Sequence, residues 1–163
     1  MARHIYRCPL RWADMDAFGH VNNVVFLRYL EEARVDLCFR VATQEGAGAF
    51  SAGSVVARHE IDYLRPLVHG YEPVTVELWV TRMSAAALVF AYEVKDEEHV
   101  YARAATVIAP YDLEAGRPRR MTAEEREFYG RYLDATPATP VVRRSAAVSR
   151  GPAAGQAEGA VAV

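Results

Sequence analysis

The chain has 163 residues, 52% of them hydrophobic and 25% charged, with a formal net charge of -2. That is the balance of one globular domain long enough to bury a core. Acids and bases are interspersed, which excludes the basic stripe of a nucleic-acid binder. No apolar run approaches the roughly 18 residues of a membrane span.

The opening segment MARHIYRCPLRW has no apolar stretch of the leader kind and is interrupted by Arg3, Arg7 and Arg11. Cys8 and Cys38 have no CxxC or Cys/His ligand spacing, and two reduced, buried thiols are expected. These features together predict a cytoplasmic protein. Residues 3–12 read as a first strand that stops near two acids, Asp14 and Asp16.

From Val24 to Arg40, VVFLRYLEEARVDLCFR places Phe26, Leu30, Ala33 and Leu37 on one helical stripe. Asn22 or Asn23 is the predicted N-cap, and Arg40 suits the C-terminal end of the dipole. A glycine-rich loop, QEGAGAFSAGS, follows.

Four strands are predicted next, over 54–65, 73–82, 86–95 and 99–111. The second alternates cleanly, with Val74, Val76, Leu78 and Val80 on one face and Thr75, Glu77, Trp79 and Thr81 on the other. The connections 69–73, 82–86 and 95–99 are short enough for antiparallel neighbours. A last helix over 122–133 opens on Thr122 with Glu125 three residues on, the pattern of a capping box.

After about Asp134 the chain becomes rich in Ala, Pro, Gly and Ser and loses its aromatic residues. Such a segment buries too little apolar surface to offset its ordering entropy. The domain is therefore expected to span 1–134, with a disordered tail over 135–163. Strand, long helix, four strands and short helix make an α+β fold in which a curved antiparallel sheet of about five strands wraps one helix.

The polar stretch DMDAFGHVNNVVF joins the first strand to that helix. A helix N-terminus carries unpaired N–H groups and partial positive charge, and this one has no acid in Val24–Leu27 to neutralise it. It can hold an anion, or an oxygen that becomes anionic in a transition state. A nearby carboxylate, Asp14 or Asp16, can activate water or attack an acyl carbonyl, and Gly19 lets the backbone approach a ligand closely. A plain Asx turn explains D-x-D-x-x-G equally well. A divalent metal on Asp14, Asp16 and His20 is disfavoured because no further ligands follow.

The segment RWADMDAFGHVNNVVFLRYLEEAR, Arg11 to Arg34, closely resembles the signature of hotdog-fold acyl-CoA thioesterases of the 4-hydroxybenzoyl-CoA thioesterase class. Likeness extends over residues ~5–132 and includes EIDYLRPLVHGYEPVTVELWVTR. It implies a hotdog fold and hydrolysis of an acyl-CoA to a carboxylic acid and free CoA. No metal or cofactor is implied, coenzyme A being part of the substrate.

Residue by residue, the resemblance implies that Asp16 is the catalytic carboxylate and that the Asn23 backbone N–H polarises the carbonyl. Gly19 and His20 would shape the site, with His20 as a further catalytic residue, and Gly19, Val21, Asn22 and Phe26 would bind substrate. The site would lie between two subunits of a homodimer, alone or in a dimer of dimers. Residues Glu60 to Arg65 would then close it from the partner.

Phe26 stands where a tyrosine is common, and RMSAAAL (82–88) has alanines where many members carry polar residues. Pocket depth is expected to depend on the helix, the 41–53 loop and the partner subunit. The apolar Phe50, Leu64 and Leu88 admit an aliphatic chain or an aromatic ring equally well, which leaves the acyl group open. The alternatives are an acyl-carrier-protein thioesterase and a non-catalytic acyl-CoA-binding module on the same fold.

Overall fold

The computed structural model describes residues 2–48 and 53–137. Its framework is an antiparallel sheet in the order β1-β3-β4-β5-β2: β1 (His4–Cys8), β2 (Ser54–Tyr63), β3 (Val74–Met83), β4 (Leu88–Lys95) and β5 (Val100–Asp112). A two-residue β6 (Arg117–Pro118) pairs with the end of β5. All four strands predicted after the helix are present, shifted by one or two residues. The first strand is shorter than predicted: Pro9 follows Cys8 and has no N–H for the ladder, and Trp12–Asp14 turn as a 3-10 helix.

The helix α1 (Asn23–Val35) lies on the sheet, with Phe26, Tyr29, Leu30 and Ala33 buried. It does not stop at Arg40. A π-helical stretch, Asp36–Val41, carries the backbone into a last turn, α2 (Ala42–Gln44). Asp36 is the first residue of that stretch. It receives the Arg40 guanidinium and lies 2.9 Å from His4 Nε2 on β1.

Val74, Val76, Leu78 and Val80 are all buried, as their alternation predicts. With Phe90, Tyr92, Val94, Ala102 and Ala104 they form the core beneath the helix. Trp79 belongs to the opposite face of β3 yet is only 1% exposed. Its cover is made from the two ends of the domain: the Arg3 guanidinium lies 3.9 Å from its ring, and its indole N–H donates to the Thr136 carbonyl at 2.7 Å. Arg3 is held in turn by Asp134 and Glu77.

The last helix, α3 (Ala123–Gly130), has the predicted capping box, with Thr122 and Glu125 each accepting the other's backbone N–H. Glu125 is 1% exposed and forms a two-pronged pair with Arg119 at 2.6 and 2.9 Å. This is the fork geometry that guanidinium and carboxylate favour. Of the predicted tail, residues beyond 137 lie outside the described residues, and so does Phe50. Among the described residues no helix is long and apolar enough to cross a membrane.

Candidate active site

The loop between β1 and α1 closes on itself as a small hairpin. Met15 bridges Val21, the Asp16 N–H donates to the His20 carbonyl at 2.9 Å, and the Gly19 N–H returns to the Asp16 carbonyl at 3.0 Å. Gly19 has φ 74°, a left-handed conformation that costs a residue with a Cβ. The loop is docked on the segment after β2, because the Val21 N–H donates to the Leu67 carbonyl at 2.7 Å.

At the far end of the loop, Asn22 is the N-cap. Its backbone is extended (φ -60°, ψ 140°), and its side-chain oxygen accepts the Val24 N–H at 2.9 Å. The Val25 N–H bonds the Asn22 carbonyl. Of the first three N–H groups of α1, two are therefore satisfied. The Asn23 N–H has no acceptor among the described residues, and no acid stands in the first turn. Positive dipole and free donor coincide at one atom.

Asn23 lines a cleft of ≈ 590 Å³. Of the predicted site residues, Asp16, His20, Val21, Asn23, Phe26 and Arg65 line it. The Asp16 carboxylate accepts the Phe18 N–H at 2.9 Å through one oxygen, and Asn22 Nδ2 at 3.4 Å through the other. The imidazole of His20 is exposed and makes no hydrogen bond among the described residues. Gly19 and Asn22 shape and cap without lining. Arg65 lines the cleft of its own chain, whereas Glu60 sits exposed on β2 against Arg58.

Three residues of the cleft escape sequence reasoning, and a fourth, Tyr63, falls in the Glu60–Arg65 segment expected from the partner yet lines the cleft of its own chain. Phe18 is exposed at its mouth. Leu67 supplies the carbonyl that docks the loop, and Pro66 lies beside it. Tyr63 meets the ring of Phe26 edge-to-face at 5.5 Å and donates its hydroxyl to the Asn23 carbonyl at 2.9 Å. The usable signal for Tyr63 was its place two residues before Arg65-Pro66, where a strand must end. Leu64 lines the cleft as predicted, but Leu88 is fully buried in the core and does not. The reason is register: Leu88 pairs with Met83 and Ile108 within the sheet.

Asp14 is not in the cleft. It is 4% exposed and turned inward, accepting the Arg11 N–H at 3.0 Å and the Tyr29 hydroxyl at 2.6 Å on one oxygen. Burial, and then the bond to Asp14, push the Tyr29 phenol well above its ordinary range. Burial and the same carboxylate push the Cys8 thiol up to about 11. Since Asp14 points away from Asp16 and His20, the three do not converge on one point. Among the described residues no group of three or more His, Cys, Asp or Glu could hold a metal ion.

Residues 10–144 match the family described as the thioesterase-like superfamily. Of curated proteins, the uncharacterized protein YsmA of Bacillus subtilis (strain 168) is 28% identical over 123 residues, covering 74% of this chain and 81% of that one. Of solved structures, a thioesterase of Thermus thermophilus, complexed with coenzyme A and Zn, is 33% identical with a TM-score of 0.65. The match covers 78% of this chain and 92% of that one. A predicted thioesterase of Bacillus stearothermophilus, 22% identical with a TM-score of 0.72, shares the fold over 83% of this chain and 99% of that one.

Proposed function

We propose that this chain, which belongs to the thioesterase-like superfamily, hydrolyses acyl-CoA thioesters in the manner of the 4-hydroxybenzoyl-CoA class. The observation that carries this reading is the Asn23 N–H, without an acceptor among the described residues, on a residue that lines the same cleft as Asp16. The thioester carbonyl oxygen would accept that N–H, so charge developing on it falls at the positive end of α1. Asp16 then either takes a proton from water or attacks the carbonyl carbon itself.

In both routes the C–S bond breaks, one water is consumed, and the sulfur leaves as CoA thiolate to be protonated. General-base catalysis takes the acid's second oxygen from that water, whereas direct attack takes it from the Asp16 carboxylate through a mixed anhydride that water opens at the Asp16 carbon. A single turnover in oxygen-18 water separates them. Direct attack leaves the label first in Asp16, and general-base catalysis leaves it in the product. The coenzyme A bound to the Thermus thermophilus thioesterase supports a CoA thioester as substrate.

A homodimer is part of the proposal. The strand β2 pairs only with β5 among the described residues, and its Val55 and Val56 are exposed, as is Val24 on the adjacent helix. An unpaired, apolar sheet edge is a surface that a second copy can cover. Sedimentation of a stable monomer at micromolar concentration removes that part.

Thiol release from acetyl-, octanoyl-, isovaleryl- and benzoyl-CoA tests the whole reading. Wild type should turn over at least one of them, and Asp16→Asn should lose about three orders of magnitude while still folding. Turnover that survives in Asp16→Asn refutes the assignment.

A further inference from the structure

The loop that carries Asp16 has one firm attachment to the body of α1, and it is made by a residue outside the cleft. The N-cap end is tied to Asp14, whose carbonyl accepts the Asn22 N–H at 2.9 Å. The carboxylate of Asp14 takes two further donors, the Arg11 N–H from before the loop and the Tyr29 hydroxyl from the helix. Tyr29 is six residues beyond Asn23, hence about 9 Å down the axis at 1.5 Å per residue. Helical side chains lean toward the N-terminus, so the phenol covers part of that distance and meets the Asp14 carboxylate at 2.6 Å. Phenylalanine has the reach without the donor.

By contrast, the carboxylate of Asp16 is held weakly. Its bond to the Phe18 N–H lies within the loop, and its link to Asn22 Nδ2 is 3.4 Å long. A buried carboxylate is a costly means of stabilising a turn, because an apolar residue there would avoid the desolvation. Its presence fits a task in which geometry matters more than stability.

We propose that Asp14 and Tyr29 are positioning residues: their hydrogen bond sets the place of the Asp16 loop relative to the Asn23 N–H. The inference rests on the reading of Asp16 as the reacting carboxylate. It excludes Asp14 from proton transfer, since that carboxylate never reaches the cleft.

Three variants, Tyr29→Phe, Asp14→Asn and Asp16→Asn, are compared with the CoA ester that wild type cleaves fastest among the four above. Circular dichroism and sedimentation confirm the fold and assembly of each. Tyr29→Phe should lose about 10- to 100-fold in kcat with KM nearly unchanged, the signature of misplaced reacting groups. Asp14→Asn should keep kcat to within about threefold, because an amide oxygen accepts both donors.

Wild-type kcat in folded Tyr29→Phe overturns the proposal. So does a loss in Asp14→Asn as deep as that of Asp16→Asn, which would put the Asp14 charge in the chemistry. If Tyr29→Phe does not fold, Asp14→Ala, which removes the acceptor of the same hydrogen bond, takes its place, and wild-type kcat in that variant overturns the proposal. Activity surviving in Asp16→Asn is a different failure: thioester cleavage stands, but Asp16 is no longer the reacting carboxylate, and the positioning role falls with it.

Discussion

Replacing Asn23 by proline deletes a single proposed catalytic atom, the backbone hydrogen. Asn23 is the first residue of α1, the one helical position where proline is favoured, because its missing N–H is unpaired there anyway. The residue before a proline must be extended, and Asn22 already is, at φ -60° and ψ 140°. Stability should therefore hold, or rise by about 0.4–1 kcal/mol through the stiffer unfolded chain.

Activity should behave otherwise. Loss of one oxyanion donor costs about 2.7–4 kcal/mol, or 10²–10³ in kcat. Asn23→Ala keeps the N–H and loses only an exposed side chain, so it should stay within about threefold of wild type. Thiol-release kinetics and thermal melts on the same preparations read both halves. If Asn23→Pro is folded and its kcat lies within about threefold of wild type, the helix terminus is not the electrophile and the carbonyl must be polarised elsewhere.

Two further outcomes concern stability. Arg119→Ala leaves the Glu125 carboxylate buried at 1% exposure without its guanidinium, and denaturant unfolding should show a loss of about 3–5 kcal/mol. Burial holds the His4 imidazole below its ordinary 6.5 despite the pull of Asp36. The unfolded chain thus binds the proton more readily than the folded one, so stability should fall as pH drops through 6.5. Unfolding midpoints between pH 7 and pH 5 should flatten in His4→Gln. An unchanged slope would assign the effect to His59, which burial also lowers.

Periodicity made the sheet and the helix stripe legible because burial on one face selects residues at fixed intervals. The capping box at Thr122 was readable for a similar reason, being a contact between residues three apart. What escaped depends on contacts distant in sequence. Nothing local to Trp79 announces that Arg3 and Thr136 will cover it, so it reads as a solvent-facing residue. The fate of Asp14 was hidden in the same way. It sits two residues from Asp16 with the same chemistry, and only the arrival of Tyr29 separates their roles. Helix length was misjudged because Arg40 looks like a terminal residue by charge, whereas its guanidinium is spent on Asp36 and the backbone continues. That Asp16, His20 and Asn23 line one cleft was legible because they lie within one short segment whose geometry a helix start largely dictates.

The cover over Trp79 has a topological consequence. Arg3 pairs with Asp134 at 2.8 Å, and the Ala2 N–H donates to the Arg131 carbonyl at 3.4 Å. Residues 2–3 and 131–134 are thus neighbours. A short linker can join them, and the chain can be reopened at the exposed Asp96–His99 turn between β4 and β5. Such a circular permutant keeps every strand neighbour and the whole β1–α1 connection, so cleft geometry does not depend on where the polypeptide starts.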